Sequence, residues 1–490
     1  LAAALGAALI LAAPLRAQPA PAAADVPASA AAVAYPAPAI PPRERAPGDA
    51  SEFRRLVLPN GIKVLLLSDP RLNKSSAALA VAVGSLADPP QRQGMAHFLE
   101  HMVFLGTQKY PDVSDFDTYL SRNGGLNNAY TARDRTNYHL EIRHEAFEGA
   151  LDRFAQFFIA PLFTPEFAER EMNAVDSEHQ KNLENDLWRE FALRGLALRE
   201  GHPARLFGTG SRETLAGTTP EELRAWYEAH YSANRMTLAL AGRASLDQLE
   251  RWAREYFGAI PDRLLPPLRV DPEILPAQPA LRELRMEPVT DLRHLTLSFP
   301  LPDLRAHALA KPAELVSFVL GNEGPGSLLA ALKAEGLATG LMASAEAESP
   351  DYGWFDIRID LTPAGLEKSA RVLELAFAAI DRLRRDGLPP HLFAERRTMA
   401  QLDERWRDPG EGMDRVANLA NALLDHPIDW AERAPYLWLQ PDPQAVAQVL
   451  DRLRPERLLL TRVAKGVATD RVAPYYGTRY GYGEDAGPAY

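Results

Sequence analysis

The five residues His97-Phe98-Leu99-Glu100-His101 constrain this chain more than any other part of it. On an α-helix, residues four apart lie one turn above each other, so His97 and His101 can aim their imidazoles at one point. Glu100 falls on the same side, where it can reach a water beside a metal without being a ligand. The stretch therefore calls for a helix and offers two metal ligands and a general base. A chance match in a chain of this length is roughly a 1% event. The neighbours Met95, Ala96, Phe98, Met102, Val103 and Phe104 equally suit a core helix with two merely solvated histidines.

A catalytic zinc keeps three protein ligands and one open position, so the third ligand must come from another element. There is no cysteine among the 490 residues, which leaves a carboxylate as the natural donor and excludes disulfides and thiolate sites. Thr164-Pro165-Glu166 opens a helix, with Thr as cap and Pro in the first turn, that should run through Glu178 to about Asn185. Glu171 and Glu178 sit two turns apart on one face of it. Glu178 as ligand with Glu171 supporting the site is sound chemistry. On spacing alone, an ordinary solvated face explains the two glutamates as readily.

The length predicts about two to four domains. The formal charge of -11 is spread along the chain and argues against a nucleic-acid binder. Leu1 to Leu15, followed by Arg16-Ala17-Gln18, is an apolar run too short for a comfortable membrane span. It reads as a secretory signal over 1–17 whose start is cut short, and so as a periplasmic or exported protein with no span after its removal. A membrane anchor is the alternative. Residues 18–50 are dominated by Ala and Pro and read as a disordered tether.

Strands are predicted at Leu56–Leu58 and Ile62–Leu66 around Pro59-Asn60-Gly61, then at Ser76–Val83, Thr136–Ile142 and Met236–Ala241. Helices are predicted at Met95–Phe104, Glu148–Phe158 and Leu246–Phe257. Past a proline-rich linker over 263–280, the order repeats coarsely, with strands at His294–Phe299 and Tyr352–Leu361 and helices at Ala313–Leu320 and Leu366–Arg385. The expected architecture is two α+β domains, 51–262 and 281–490, each a sheet with helices packed on one face. Gly321-Asn322-Glu323-Gly324-Pro325-Gly326 is no phosphate loop, because no Lys-Ser/Thr follows and Pro325 lacks a backbone donor.

The motif's surroundings, Gly94 to Gly106, together with Asn128-Ala129-Tyr130-Thr131, Thr136-Asn137-Tyr138 and Glu171 to Glu178, resemble the pitrilysin and insulin-degrading-enzyme branch of the inverted-zinc-motif peptidases, family M16. The likeness continues at Phe299 to Leu304, Gly324 to Leu329 and Tyr475-Tyr476-Gly477-Thr478-Arg479-Tyr480. The resemblance implies two homologous domains of LuxS/MPP-like metallohydrolase fold, each with a mostly antiparallel sheet. It implies a zinc metalloendopeptidase with one zinc held by His97, His101 and Glu178, Glu100 as base and Glu171 as supporting carboxylate. Short or unfolded peptides would add as a strand beside Asn128, Ala129 and Tyr130.

Full-length members of that branch have four such domains, whereas this chain holds two. The resemblance therefore implies a missing C-terminal half, a partner chain or a homodimer. Leu341-Met342-Ala343-Ser344 departs from the family, whose insulin-degrading members carry glycines there to anchor a substrate N-terminus. The rival reading is a non-catalytic peptide-binding subunit on the same fold.

Overall fold

The computed structural model describes residues 39–276, 282–406, 410 and 412–483. The signal-like run and most of the tether lie outside them. Strands β1 (Glu52–Val57) and β2 (Lys63–Ser68) form the expected hairpin, with Val57 opposite Lys63. Gly61 at φ 89° takes the left-handed position of the turn, and Asn60 Nδ2 anchors it to the Phe257 and Ile260 carbonyls. With β3 (Ser75–Val81), β4 (Leu126–Thr131), β5 (Thr136–Ile142) and β6 (Met236–Gly242), the first sheet has the order β1-β2-β6-β3-β5-β4. Only β2 and β6 run parallel.

Side-chain alternation sorts the faces of this sheet. Leu79, Val81, Leu238 and Leu240 point into a core shared with Phe98, Phe154 and Phe158 from helices Met95–Val103 and Phe147–Ile159. Ala78, Ala80, Ala239 and Ala241 point the other way. That face of small residues lets helix Gly412–Asp425, from the far end of the chain, lie close against it through Val416, Ala417 and Ala420.

The second sheet comprises β7 (Arg282–Met286), β8 (Arg293–Pro302), β9 (Ala338–Ala347), β10 (Tyr352–Leu361), β11 (Leu459–Ala464), β12 (Arg471–Val472) and β13 (Arg479–Gly483), ordered β12-β13-β7-β11-β8-β10-β9. From β7 to β9 it repeats the order of the first sheet from β2 to β4, including the one parallel pair, here β7 with β11. The place of the first sheet's His-bearing helix is taken by Pro312–Leu320, which carries no histidine. Leu295, Leu297, Phe299, Ile357 and Ile359 face that helix and helix Ser369–Asp386.

The opposite face meets helix Asp186–Leu196 of the first half. Glu190 accepts from His294 at 3.0 Å and Thr296 at 3.2 Å, and Arg194 pairs with Asp356 at 3.0 Å over the Trp354 ring. Each half thus lends one helix to the other's sheet. Among the described residues no helix is long and apolar enough to cross a membrane.

Several elements differ from expectation. β4 and β9, edge strands in the structure, lie where the sequence predicts no strand. The helix over Leu366–Arg385 is two pieces, Pro363–Glu367 and Ser369–Asp386. The helix at Leu246 winds into a π-turn over Ala253–Phe257. Helix Pro165–Asn182 starts at the expected proline, but Thr164 makes no side-chain capping bond and the helix ends three residues short of Asn185.

Candidate metal centre

Helix Met95–Val103 buries Met95, Phe98, Leu99 and Met102, which contribute about 1.5–3 kcal/mol each for the large side chains. That leaves His97 and His101 on the face toward helix Pro165–Asn182. Gly94, at φ 90°, starts the helix against the backbone of Gly210; a Cβ there would lie 2.2 Å from Gly210 Cα. The buried Asp88 carboxylate accepts the Gly94 and Ala96 amides, both at 2.8 Å, satisfying N–H groups that the helix cannot pair itself. Burial pushes the Asp88 carboxyl up to about 7.

The two imidazoles stand edge to face at 4.9 Å, with Nε2 atoms 3.3 Å apart. His97 Nδ1 donates to the Thr209 carbonyl at 2.7 Å, and His101 Nδ1 faces Glu171 Oε2 at 3.3 Å. With both Nδ1 atoms so engaged, the two Nε2 lone pairs converge. Glu178, half-exposed, completes the group: Oε2 is 3.3 Å from His97 Nε2 and Oε1 is 3.7 Å from His101 Nε2. Two lone pairs and a carboxylate repel one another unless a proton or a metal ion lies among them. Donors bonded to zinc at 2.0–2.1 Å in a tetrahedron are about 3.3–3.4 Å apart. The donor set and its spacing therefore fit a zinc ion.

Burial opposes a charge on His97, but Glu178, Glu100 and the Thr209 carbonyl outweigh it and push its pKa up to about 9. The hydrogen bond from His97 holds Glu178 below the usual carboxylate range. Burial would raise Glu171, yet His101 and Arg170 outweigh it and hold it low. Glu100 is 6% exposed, and burial lifts its carboxyl above the usual range. The Thr131 hydroxyl, at the end of β4, donates to Glu100 Oε2 at 2.6 Å.

The group opens into a cleft of about 1030 Å³ walled by both halves, with Trp188 and Phe191 from one and Glu346, Asp425 and Tyr475 from the other. Asn128, Ala129 and Tyr130 line it on β4, whose outer edge has no strand partner among the described residues. Asn421 Nδ2 donates to the Tyr130 hydroxyl at 2.5 Å. The eight candidate site residues named from the sequence therefore meet in one cleft. Sequence reasoning missed Thr131, although it stands in a stretch the family shares, and Thr209, which acts through a main-chain carbonyl and leaves no side-chain signal. It also missed Trp188 and Phe191, which look like any amphipathic helix face.

Three regions match models of one family: residues 63–199 match insulinase (peptidase family M16), 218–399 the peptidase M16 inactive domain, and 405–484 the middle or third domain of peptidase M16. The chain belongs to peptidase family M16, in its insulinase and pitrilysin branch. It is 39% identical over 447 residues to the insulin-degrading enzyme of Homo sapiens, covering 89% of this chain and 44% of that protein. It is 37% identical over 445 residues to a protein of Schizosaccharomyces pombe named as a zinc protease, covering 88% and 46%. The crystal structure of pitrilysin superposes with a TM-score of 0.88 at 29% identity, over 91% of this chain and 48% of that one. The chain spans less than half the length of the curated relatives it matches.

Proposed function

We propose that this chain is a zinc-dependent endopeptidase acting on short or unfolded polypeptides. One observation carries the reading: the His97, His101 and Glu178 donor atoms stand at zinc-ligand spacing beside the buried Glu100, at the end of the open edge of β4. Zinc, when bound, would acidify a water and polarise the peptide carbonyl. Residues 51–262 form the catalytic domain in this reading, and 281–490 a second domain without the motif. An exported location remains part of the proposal, carried by the apolar run at 1–17 alone.

A peptide laid along β4 bonds through its backbone beside Asn128, Ala129 and Tyr130, so sequence selectivity falls to side-chain contacts with the cleft wall. Glu100 accepts a proton from the attacking water and returns it to the leaving amine. Its burial raises its basicity, and Thr131 fixes which oxygen turns toward the substrate. Glu171 holds the His101 ring in the tautomer that presents Nε2.

The test is cleavage of a quenched fluorescent peptide. Activity should vanish on treatment with a chelator and return with one equivalent of zinc; cleavage that survives complete metal removal rejects the proposal. Thr131→Val should lower the rate about 10–100-fold, the equivalent of one hydrogen bond to a charged group. Zinc content should not change, and Thr131→Ser should restore the rate.

A further inference from the structure

Tyr475 and Tyr476, in the turn before β13, come from the second half of the chain yet line the same cleft as the metal centre. Tyr475 holds φ at +67°. A bulky aromatic residue rarely adopts this left-handed conformation, which persists only where its contacts over-determine it. The Tyr475 ring stacks on Phe207 at 4.3 Å and 11°. Its carbonyl accepts from the buried His179 Nε2 at 3.2 Å, and the Tyr476 carbonyl accepts from Arg189 at 3.3 Å. His179 meets the Phe207 and Tyr476 rings edge-on at 4.8 and 4.9 Å.

Two of these partners abut the metal centre. His179 follows Glu178 on helix Pro165–Asn182. Phe207 begins the segment Phe207-Gly208-Thr209, whose last carbonyl accepts from His97 Nδ1 at 2.7 Å. One turn therefore grips both the helix that carries Glu178 and the segment that orients His97. The halves are also tied at Arg194 with Asp356 and at Arg135 with Asp425, where neither pair adjoins a candidate ligand. Holding the halves together does not require a left-handed tyrosine.

We infer that the Tyr475-Tyr476 turn is a positioning device for the metal centre, setting the reach of Glu178 and of His97 Nε2. Through it, the second half controls how tightly the first half holds zinc. The inference rests on the zinc reading proposed above.

The test measures zinc dissociation constants of the full chain by competition with a chromogenic chelator. Tyr475→Ala should weaken zinc binding about 10–100-fold, the usual effect of losing a group that orients ligands. Tyr475→Phe, which keeps the stack and the carbonyl, should bind as wild type. His179→Phe keeps a ring in the pocket but loses the donated hydrogen bond, and should weaken binding even if Tyr475→Ala does not fold. Arg194→Ala loosens the halves elsewhere and should leave zinc binding unchanged. Wild-type affinity in both Tyr475→Ala and His179→Phe overturns the inference, as does an equal loss in Arg194→Ala. Glu178→Ala serves as the reference: if it also binds zinc as wild type, the zinc reading itself has failed.

Discussion

Glu100→Gln is expected to keep its zinc and to lose peptide cleavage by about 10²–10⁴-fold, the usual contribution of a positioned general base. The change is nearly isosteric, and the glutamine oxygen can still accept from the Thr131 hydroxyl, which donates to Glu100 at 2.6 Å. Fold and metal site should therefore survive. What disappears is the capacity to take up a proton, because an amide is not basic in water's range. The cleavage rate and the zinc content of one preparation check this together. Wild-type cleavage by the variant would remove Glu100 from the mechanism while leaving the metal assignment intact. Zinc loss in parallel with activity would mean that Glu100 holds metal rather than protons.

Glu178→Ala is expected to weaken zinc binding by more than about 100-fold, because on the proposed assignment it removes a ligand itself, whereas losing a group behind a ligand costs about 10–100-fold. Two Nε2 atoms 3.3 Å apart would remain, without the anion that balances the cation between them. Glu171→Ala should behave differently. Glu171 touches His101 Nδ1, on the far side of the ring from Nε2, so its loss frees the ring to turn without deleting a donor. Activity should fall more than metal content. Zinc analysis of both variants after dialysis decides the matter: equal metal loss in the two would overturn the division of roles.

Much of this site was legible in the sequence because its key spacings are local. His97 and His101 are one helical turn apart, and Glu171 and Glu178 are two, so helix geometry alone puts each pair on one face. The resemblance to a family then joined the two helices into one site, and the structure places the four side chains within contact of one another. The hairpin at Pro59-Asn60-Gly61, β5 and β10 were equally readable, from a turn dipeptide and from runs rich in apolar, aromatic and β-branched residues. The edge strand β4 was not. Leu126-Asn127-Asn128-Ala129-Tyr130-Thr131 has only one neighbour to pair with and half-exposed sides, so it carries no strong apolar alternation.

By itself, then, the sequence offered the candidate groups: two histidines and a glutamate within one helical turn, two further glutamates two turns apart on another helix, and two sheet-and-helix units in succession. These are properties of periods of two and of 3.6 residues, written within a few turns of chain. The tertiary structure alone decided what lies on the second face of each sheet. Ala78, Ala80, Ala239 and Ala241 read as weak apolar positions until helix Gly412–Asp425 is seen lying on them. Asp186, Glu190 and Arg194 stand four apart along one helix, a spacing that names no partner, yet the second half of the chain pairs with all three. Such contacts join residues a hundred or more positions apart, and small or charged side chains match many partners. Only their joint packing singles out the one that forms.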